Sequence, residues 1–214
     1  MVVIHEVPGI TEAVQAFSEQ VVGAGFTVVL PSLLGTPTGV AASVGQALPA
    51  LVKVCVSREF TAWATGQASP VTGWLRALAA DLHAELGGPG VGAIGMCFSG
   101  GFALAMMLDG HTVAPVLSQP SLPFAVGRRR AADLGLSPAE LDTVVARAQA
   151  GCRVLGLRYA GDPAVGTRFA TLTRLLGEQF VAVELPGRKH SVLTEHRDEG
   201  AVRTVLDFLR ERLR

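Results

Sequence analysis

The stretch GAIGMCFSGG, Gly92 to Gly101, places a cysteine among small residues where one apolar run ends and another begins. The run Val91 to Ile94 is short and rich in branched apolar residues, which is typical of a buried strand. The run Phe98 to Leu108 is almost wholly apolar and long enough for a buried helix. The stretch therefore predicts a strand, a very tight turn at Cys97 and a helix.

Such a turn gives Cys97 the position of a nucleophile. The turn residue is strained and exposed above the sheet, and its neighbours two positions away must be small because strand and helix approach closely. Gly95 and Ser99 meet that condition. The first N–H groups of the helix can stabilise an oxyanion and favour a thiolate. The alternative is a buried, inert cysteine beside a glycine-rich turn.

The rest of the chain repeats the alternation of strand and helix. Apolar runs predict strands at Val2–His5, Phe26–Leu30, Val91–Ile94, Thr112–Leu117, Arg153–Tyr159 and Phe180–Leu185. Helical patterns cover Thr11–Gly23, Val71–Leu86, Phe98–Leu108, a capped start at Ser137–Glu140, Asp162–Gly177 and Asp198–Arg212. We expect an α/β fold with a doubly wound, mostly parallel sheet of about six strands, in a single domain over residues 1–214.

Composition limits the function classes. Lys and Arg total 18 and Asp and Glu total 18, so no net charge attracts nucleic acid or an anionic membrane surface. No apolar run reaches the roughly 18 residues of a membrane helix, and MVVIHEVPGI lacks the features of a signal peptide. The three cysteines show no metal or disulfide spacing, which favours a reducing cytoplasm. The basic run Arg128–Arg130 is interpreted as a solvated loop, with anion binding as the alternative.

A cysteine nucleophile needs a histidine, and the histidine needs an acid. Asp162 and His190 each follow a predicted strand, at the sheet edge where α/β proteins bind ligands. Asp162 could also be a helix cap before Pro163, and His190 could be an exposed loop residue. His196 is the second choice for the histidine.

Four segments, IHEVPG, GMCFSGG, YAGDP and GRKHSV, together resemble the dienelactone hydrolase family of α/β-hydrolases over nearly the whole chain. The resemblance implies Cys97 as nucleophile, Asp162 as acid and His190 as base. It also implies that Glu6 contacts the resting cysteine and helps to form the thiolate once substrate arrives. Because the chain begins at the strand that carries Glu6, the resemblance implies a minimal α/β-hydrolase fold that lacks the first one or two strands.

The resemblance further implies an oxyanion hole formed by the backbone N–H groups of Val7 and Phe98. In the family, arginines in the pocket hold a substrate carboxylate, and Arg58 could do so here; the alternative is a salt bridge between Arg58 and Glu59. Two departures are Ser99, a glycine in type members, and the region 36–70, which matches the family's substrate-binding residues loosely.

These residues predict hydrolysis of a small ester or lactone through an acyl-cysteine, with no metal or organic cofactor. We expect a small-molecule substrate, no nucleic-acid or membrane partner, and a monomer or small homo-oligomer. Two alternatives stay open. One is a non-catalytic binding protein on the same fold, and the other is a redox sensor that uses Cys97, for which Cys55 and Cys152 lie far away in sequence.

Overall fold

Five parallel strands form one sheet, in the order in which they occur along the chain. The computed structural model describes residues 1–36 and 38–214. The strands are β1 (Val2–Ile4), β2 (Val91–Met96), β3 (Thr112–Ser118), β4 (Val154–Tyr159) and β5 (Phe180–Leu185). All five were predicted from their apolar runs, with bounds that differ by two residues or fewer.

Helices cover both faces of this sheet, so the predicted α/β architecture is confirmed. They are α1 (Glu12–Gly23), α2 (Val44–Val56), α3 (Val71–Leu86), α4 (Gly100–Ala105), α5 (Gly127–Ala132), α6 (Pro138–Gln149), α7 (Arg168–Leu176) and α8 (Glu199–Leu213). One hydrophobic cluster lies between the sheet and α1 and α8, and a second lies under α3, α4, α6 and α7. Among the residues described, no helix has the length and apolar character that crossing a bilayer requires.

The predicted sixth strand, Phe26–Leu30, is reduced to a single bridge at the edge of the sheet. Val29 pairs with Val2, its N–H donates to Met1 O at 2.8 Å, and its carbonyl accepts from Val3 N at 3.0 Å. Pro31 follows directly and has no N–H to donate, which stops the ladder on that side. The sheet therefore has five strands where about six were expected.

Helix starts follow the local capping chemistry. Ser137 and Glu140 form the reciprocal hydrogen bonds of a capping box at the start of α6. The helix predicted from Asp162 begins only at Arg168, because turns fill the interval and Gly166 lies in the left-handed region at φ +61°. The region 36–70, which matches the family's substrate-binding residues loosely, contains the helix α2.

Two further predictions need correction. The basic run Arg128–Arg130, interpreted as a loop, lies within the short helix α5. The apolar stretch Phe98–Leu108, predicted as one helix, is instead a 3₁₀ turn at Cys97–Ser99, the α-helix α4 and a second 3₁₀ turn at Met106–Asp109. Its burial is as expected, since Phe102, Ala103 and Leu104 are all buried.

Arg168 connects the loops that follow β3 and β4. Its side chain is almost wholly buried, and burial lowers its pKa to about 10 although the charge of Asp133 acts in the opposite direction. The guanidinium donates to backbone carbonyls of Pro123, Arg130, Asp133, Ala164 and Val165. One side chain thus holds together segments that are far apart in sequence.

Arg168→Met should lower the free energy of unfolding by about 3 kcal/mol or more, since several buried carbonyls would lose their donor. The exposed Arg174 on the same helix provides the matched control. Arg174→Met should change stability by no more than about 0.5 kcal/mol. Urea unfolding followed by circular dichroism measures both, and equal effects of the two variants would contradict the assignment.

Candidate active site

The chain turns sharply at Cys97, between the end of β2 and the helix α4. Cys97 has φ +56°, a left-handed conformation that residues with a Cβ rarely adopt. A Cβ on Gly95 would lie 2.2 Å from the carbonyl oxygen of Ser99, and one on Gly100 would lie 2.6 Å from Pro120 Cα. Close backbone approach therefore holds the turn, as the small neighbours predicted.

The hydroxyl of Ser99 also forms hydrogen bonds that hold the cysteine turn against β1. Its hydroxyl accepts from Met96 N at 2.9 Å and lies 3.0 Å from Ile4 O and 3.1 Å from His5 O, to which it can donate. The side chain is completely buried. It connects the cysteine turn to the end of β1, where Glu6 follows.

Four of the predicted residues meet at one edge of the sheet. The ligand atoms of Glu6, Cys97 and His190 all lie within 4.8 Å of one another. Asp162 Oδ2 accepts a hydrogen bond from His190 Nδ1 at 2.6 Å. Asp162 Oδ1 accepts from Ala164 N at 3.0 Å, so this carboxylate both orients the histidine and caps the following turn.

The surroundings of His190 favour its protonated form. Desolvation lowers the pKa of His190, but the hydrogen bond with Asp162 and the interaction with Cys97 outweigh it and raise the pKa to about 10. The imidazole is half-buried, and the Asp162 carboxylate beneath it is buried. The protonated imidazole is therefore favoured at neutral pH, with Nδ1 bonded to the Asp162 carboxylate and the sulfur of Cys97 also in contact with the ring.

Glu6 is a buried carboxyl with three side-chain donors. Gln119 Nε2 donates to Oε2 at 3.1 Å, Ser191 Oγ donates to the same oxygen at 2.9 Å, and Thr194 Oγ1 donates to Oε1. Burial raises the pKa of Glu6, whereas these hydrogen bonds and the charge of His190 act against that rise. The donors fix the orientation of the carboxyl beside the sulfur.

Gln119 is a residue of the site that sequence reasoning missed. Its Oε1 accepts from Val192 N at 3.2 Å and from the hydroxyl of Ser118, while its amide donates to Glu6. It thus connects the ends of β1 and β3 with the loop of His190. Its position directly after a predicted strand is the same signal that identified Asp162.

Strained backbone conformations are concentrated at the proposed site. Among the described residues, four residues other than glycine have positive φ, and three of them belong to this site: Cys97, Gln119 and Ser191. Such conformations persist where the surrounding structure holds them, and they cluster at functional sites.

The remaining candidates lie elsewhere. Arg58 is exposed after α2, and among the described ion pairs none joins it to Glu59. His196 is exposed, beyond the cluster of Glu6, Cys97 and His190.

Glu6, Cys97 and His190 are also residue types that bind metal ions. Two of the three already have other partners. Both oxygens of Glu6 accept hydrogen bonds, and Nδ1 of His190 is taken by Asp162, which leaves Nε2. The donor set therefore fits a hydrogen-bonded acid–base cluster at least as well as a metal centre.

Comparison with known proteins gives a family match and a structural neighbour. The sequence model of the "Dienelactone hydrolase family" matches residues 1–149, a segment that includes Glu6 and Cys97 and ends before Asp162. A zinc-bound structure of a cold-adapted esterase from an Arctic intertidal metagenomic library has TM-score 0.56 and 16% identity, covering 100% of this chain and 81% of that one. That likeness supports the fold. A search of curated proteins finds no match.

Gly95→Ala should displace the cysteine turn and destabilise the protein by about 3 kcal/mol, because the new methyl group meets the Ser99 backbone. Gly73→Ala in α3 is the matched control, since nothing lies within 4 Å of its Cβ position. It should stabilise the protein by about 0.5–1 kcal/mol. Thermal unfolding compares the two, and a neutral Gly95→Ala would contradict the close approach.

The raised pKa of His190 predicts a pH-dependent contribution to stability. A folded pKa of about 10 exceeds the unfolded value of about 6.5. The contribution is therefore full below pH 6.5 and is lost as pH rises towards 10. The stability difference between wild type and His190→Gln should shrink from pH 7 to 10, measured by denaturant unfolding across that range. His196→Gln serves as control, and the same trend in both variants would refute the assignment to residue 190.

Proposed function

The chain belongs to the dienelactone hydrolase family and is a hydrolase of the α/β type, and from that premise we propose that it hydrolyses a small ester or lactone through an acyl-cysteine intermediate. One observation carries the proposal. The sulfur of Cys97, the ring of His190 and the carboxyl of Glu6 lie within 4.8 Å of one another, and Asp162 holds the far side of the ring at 2.6 Å.

Cys97 is the proposed nucleophile. Its thiol proton passes to the neighbouring Glu6 carboxylate, the thiolate sulfur attacks the carbonyl carbon of the ester, and the carbonyl π electrons move to the oxygen. When the tetrahedral intermediate collapses, the C–O bond to the leaving group breaks and a thioester remains. The left-handed turn supports this role because it keeps the sulfur at the edge of the sheet, half-buried and beside the histidine.

The proposed oxyanion hole consists of the N–H groups of Val7 and Phe98. Phe98 is the second residue of a helical segment that starts at Cys97, so its N–H precedes any acceptor within the helix. Among the residues described, the Val7 N–H forms no hydrogen bond. One such donor contributes about 3 kcal/mol to transition-state stabilisation in comparable enzymes.

His190 moves the protons in this scheme. The protonated ring, favoured by its raised pKa, gives its proton to the leaving oxygen. The neutral ring then removes a proton from water, whose oxygen attacks the thioester carbonyl. The C–S bond breaks, the carboxylic acid leaves, and the Cys97 thiolate takes its proton back from Glu6. Asp162 keeps the ring in one orientation through both steps, because its Oδ2 binds Nδ1 and leaves Nε2 towards the substrate.

Glu6 is proposed to hold the resting sulfur and to help form the thiolate when substrate arrives, as the family resemblance implies. Its burial and three donors support a fixed position beside Cys97. A thiol that ionises only with substrate present is protected from oxidation.

Several broader predictions accompany this scheme. We propose one hydrolase domain over residues 1–214, a cytoplasmic location, a small-molecule substrate and no cofactor. A monomer or small homo-oligomer is expected, without nucleic-acid partners. The binding of a substrate carboxylate by Arg58 stays a prediction. The non-catalytic alternative would retain the fold and use Cys97 for packing only.

Cys97→Ala should lower kcat for p-nitrophenyl acetate by about 10³-fold or more, because no other group can form the acyl intermediate. Mass spectrometry of the quenched wild-type reaction should detect an acetyl group on Cys97. Cys152→Ala removes another free thiol, which lies outside the site, and is the matched control, expected to retain full activity. A Cys97→Ala enzyme with the parent rate would exclude this mechanism, and loss of activity with EDTA would favour a metal.

A further inference from the structure

An open apolar groove lies between α2 and the loops that follow β3 and β4, and the scheme above does not use it. It has a volume of about 440 Å³, within the range of small-molecule sites. Among the described residues, those that line it are all uncharged. Its lining residues are Leu51, Cys55, Trp63, Phe124, Ala125, Val126, Pro163 and Ala164.

Two of the chain segments that line the groove are hydrogen-bonded to, or directly follow, residues of the proposed active site. On one side, Ser121 N donates to the carbonyl of Cys97 at 3.0 Å, and the chain continues directly to Phe124 and Val126. On the other side, Asp162 is followed by Pro163 and by Ala164, whose N–H donates to the Asp162 carboxylate. The groove therefore lies between the loops that carry the nucleophile's neighbour and the acid.

Trp63 and α2 supply the outer wall. Trp63 contacts Phe124 with 5.1 Å between ring centroids, and the backbone of Phe124 donates to Ala62 O at 2.9 Å. Trp63 is 48% exposed although Arg130 lies over its ring at 5.8 Å, and Val126 is 59% exposed, so the two side chains leave adjoining apolar surface in contact with solvent. The neighbouring cavity beside Phe98 measures only about 10 Å³, room for no more than a water molecule.

We propose that this groove binds the acyl chain of the substrate, and that the substrate is an uncharged ester with an extended apolar acyl group. The inference rests on the proposed function, because it names the substrate class of that site. The occupant is inferred to be substrate because Ala164, which lines the groove, binds Asp162, and because the lining segment at Phe124 follows Ser121, which binds the carbonyl of Cys97. The absence of charge along the described lining explains why an apolar chain is preferred over a carboxylate-bearing one.

The first test compares p-nitrophenyl acetate, p-nitrophenyl octanoate and the mono-p-nitrophenyl ester of succinate. The kcat/KM for octanoate should exceed that for acetate by about tenfold or more, since each buried methylene contributes up to about fourfold. The succinate ester should be slower than acetate. A preference for the succinate ester that disappears in Arg58→Ala would overturn the proposal in favour of the carboxylate site.

Variants locate the effect in the groove. Trp63→Ala and Val126→Asp should each lower the octanoate-to-acetate ratio by about fivefold or more. Trp74→Ala removes an equally exposed tryptophan from α3, outside the groove, and should leave both rates unchanged. An unchanged ratio in both groove variants would overturn the proposal. So would a change of oligomeric state in Val126→Asp on size exclusion without a change of ratio, because the groove would then be a subunit contact.

A binding measurement separates this proposal from the catalytic one. Trp74→Phe leaves Trp63 as the single tryptophan. Titration with 1-octanol should shift its fluorescence to shorter wavelength, whereas ethanol at the same concentration should not. A shift without Cys97-dependent hydrolysis would support the groove and reject the proposed reaction. Hydrolysis that depends on Cys97, without a shift, would reject the groove alone.

Discussion

The close approach of β2 to the helix that follows it is the constraint on which the site depends. The backbones at Gly95 and Ser99 are too near for a methyl group between them, and the chain can reverse only if Cys97 takes a left-handed conformation. That conformation carries the sulfur to the edge of the sheet. It also puts the start of a helical segment directly beside the sulfur, where backbone N–H groups face outward.

Burial of polar groups is the second feature of this edge, and Glu6 and Ser99 have partners from distant segments. Glu6 is held by side chains from the end of β3 and from the loop after β5, and Ser99 binds the end of β1. Positive φ at three site residues costs about 1–3 kcal/mol each. The two hydrophobic clusters that enclose the sheet supply the stability that offsets this strain.

The polar groups of the proposed site and the apolar groove lie on neighbouring loops, and each suits a different part of an ester substrate. Polar groups surround one ring: the Asp162 carboxylate lies on one side of His190 and the Cys97 sulfur on the other, and these interactions raise the pKa of the imidazole. The groove that begins at Pro163 and Ala164 has no charged side chain among its described lining residues. The polar groups can thus polarise a reacting carbonyl, while the apolar chain attached to it moves out of water into the groove.

The sequence by itself determined the α/β class, the five strands of the sheet and the cysteine turn, because these follow from local patterns of apolar and small residues. It also identified Asp162 and His190, since both follow strands whose carboxyl ends meet at one edge. Only the tertiary structure decided that Phe26–Leu30 forms a single bridge, that Gln119 and Thr194 hold Glu6, and that Arg58 is exposed. These outcomes depend on contacts between segments up to 188 residues apart, which no local pattern contains. The groove has the same origin, because its walls come from α2 and from the loops after β3 and β4, which adjoin only once the chain has folded.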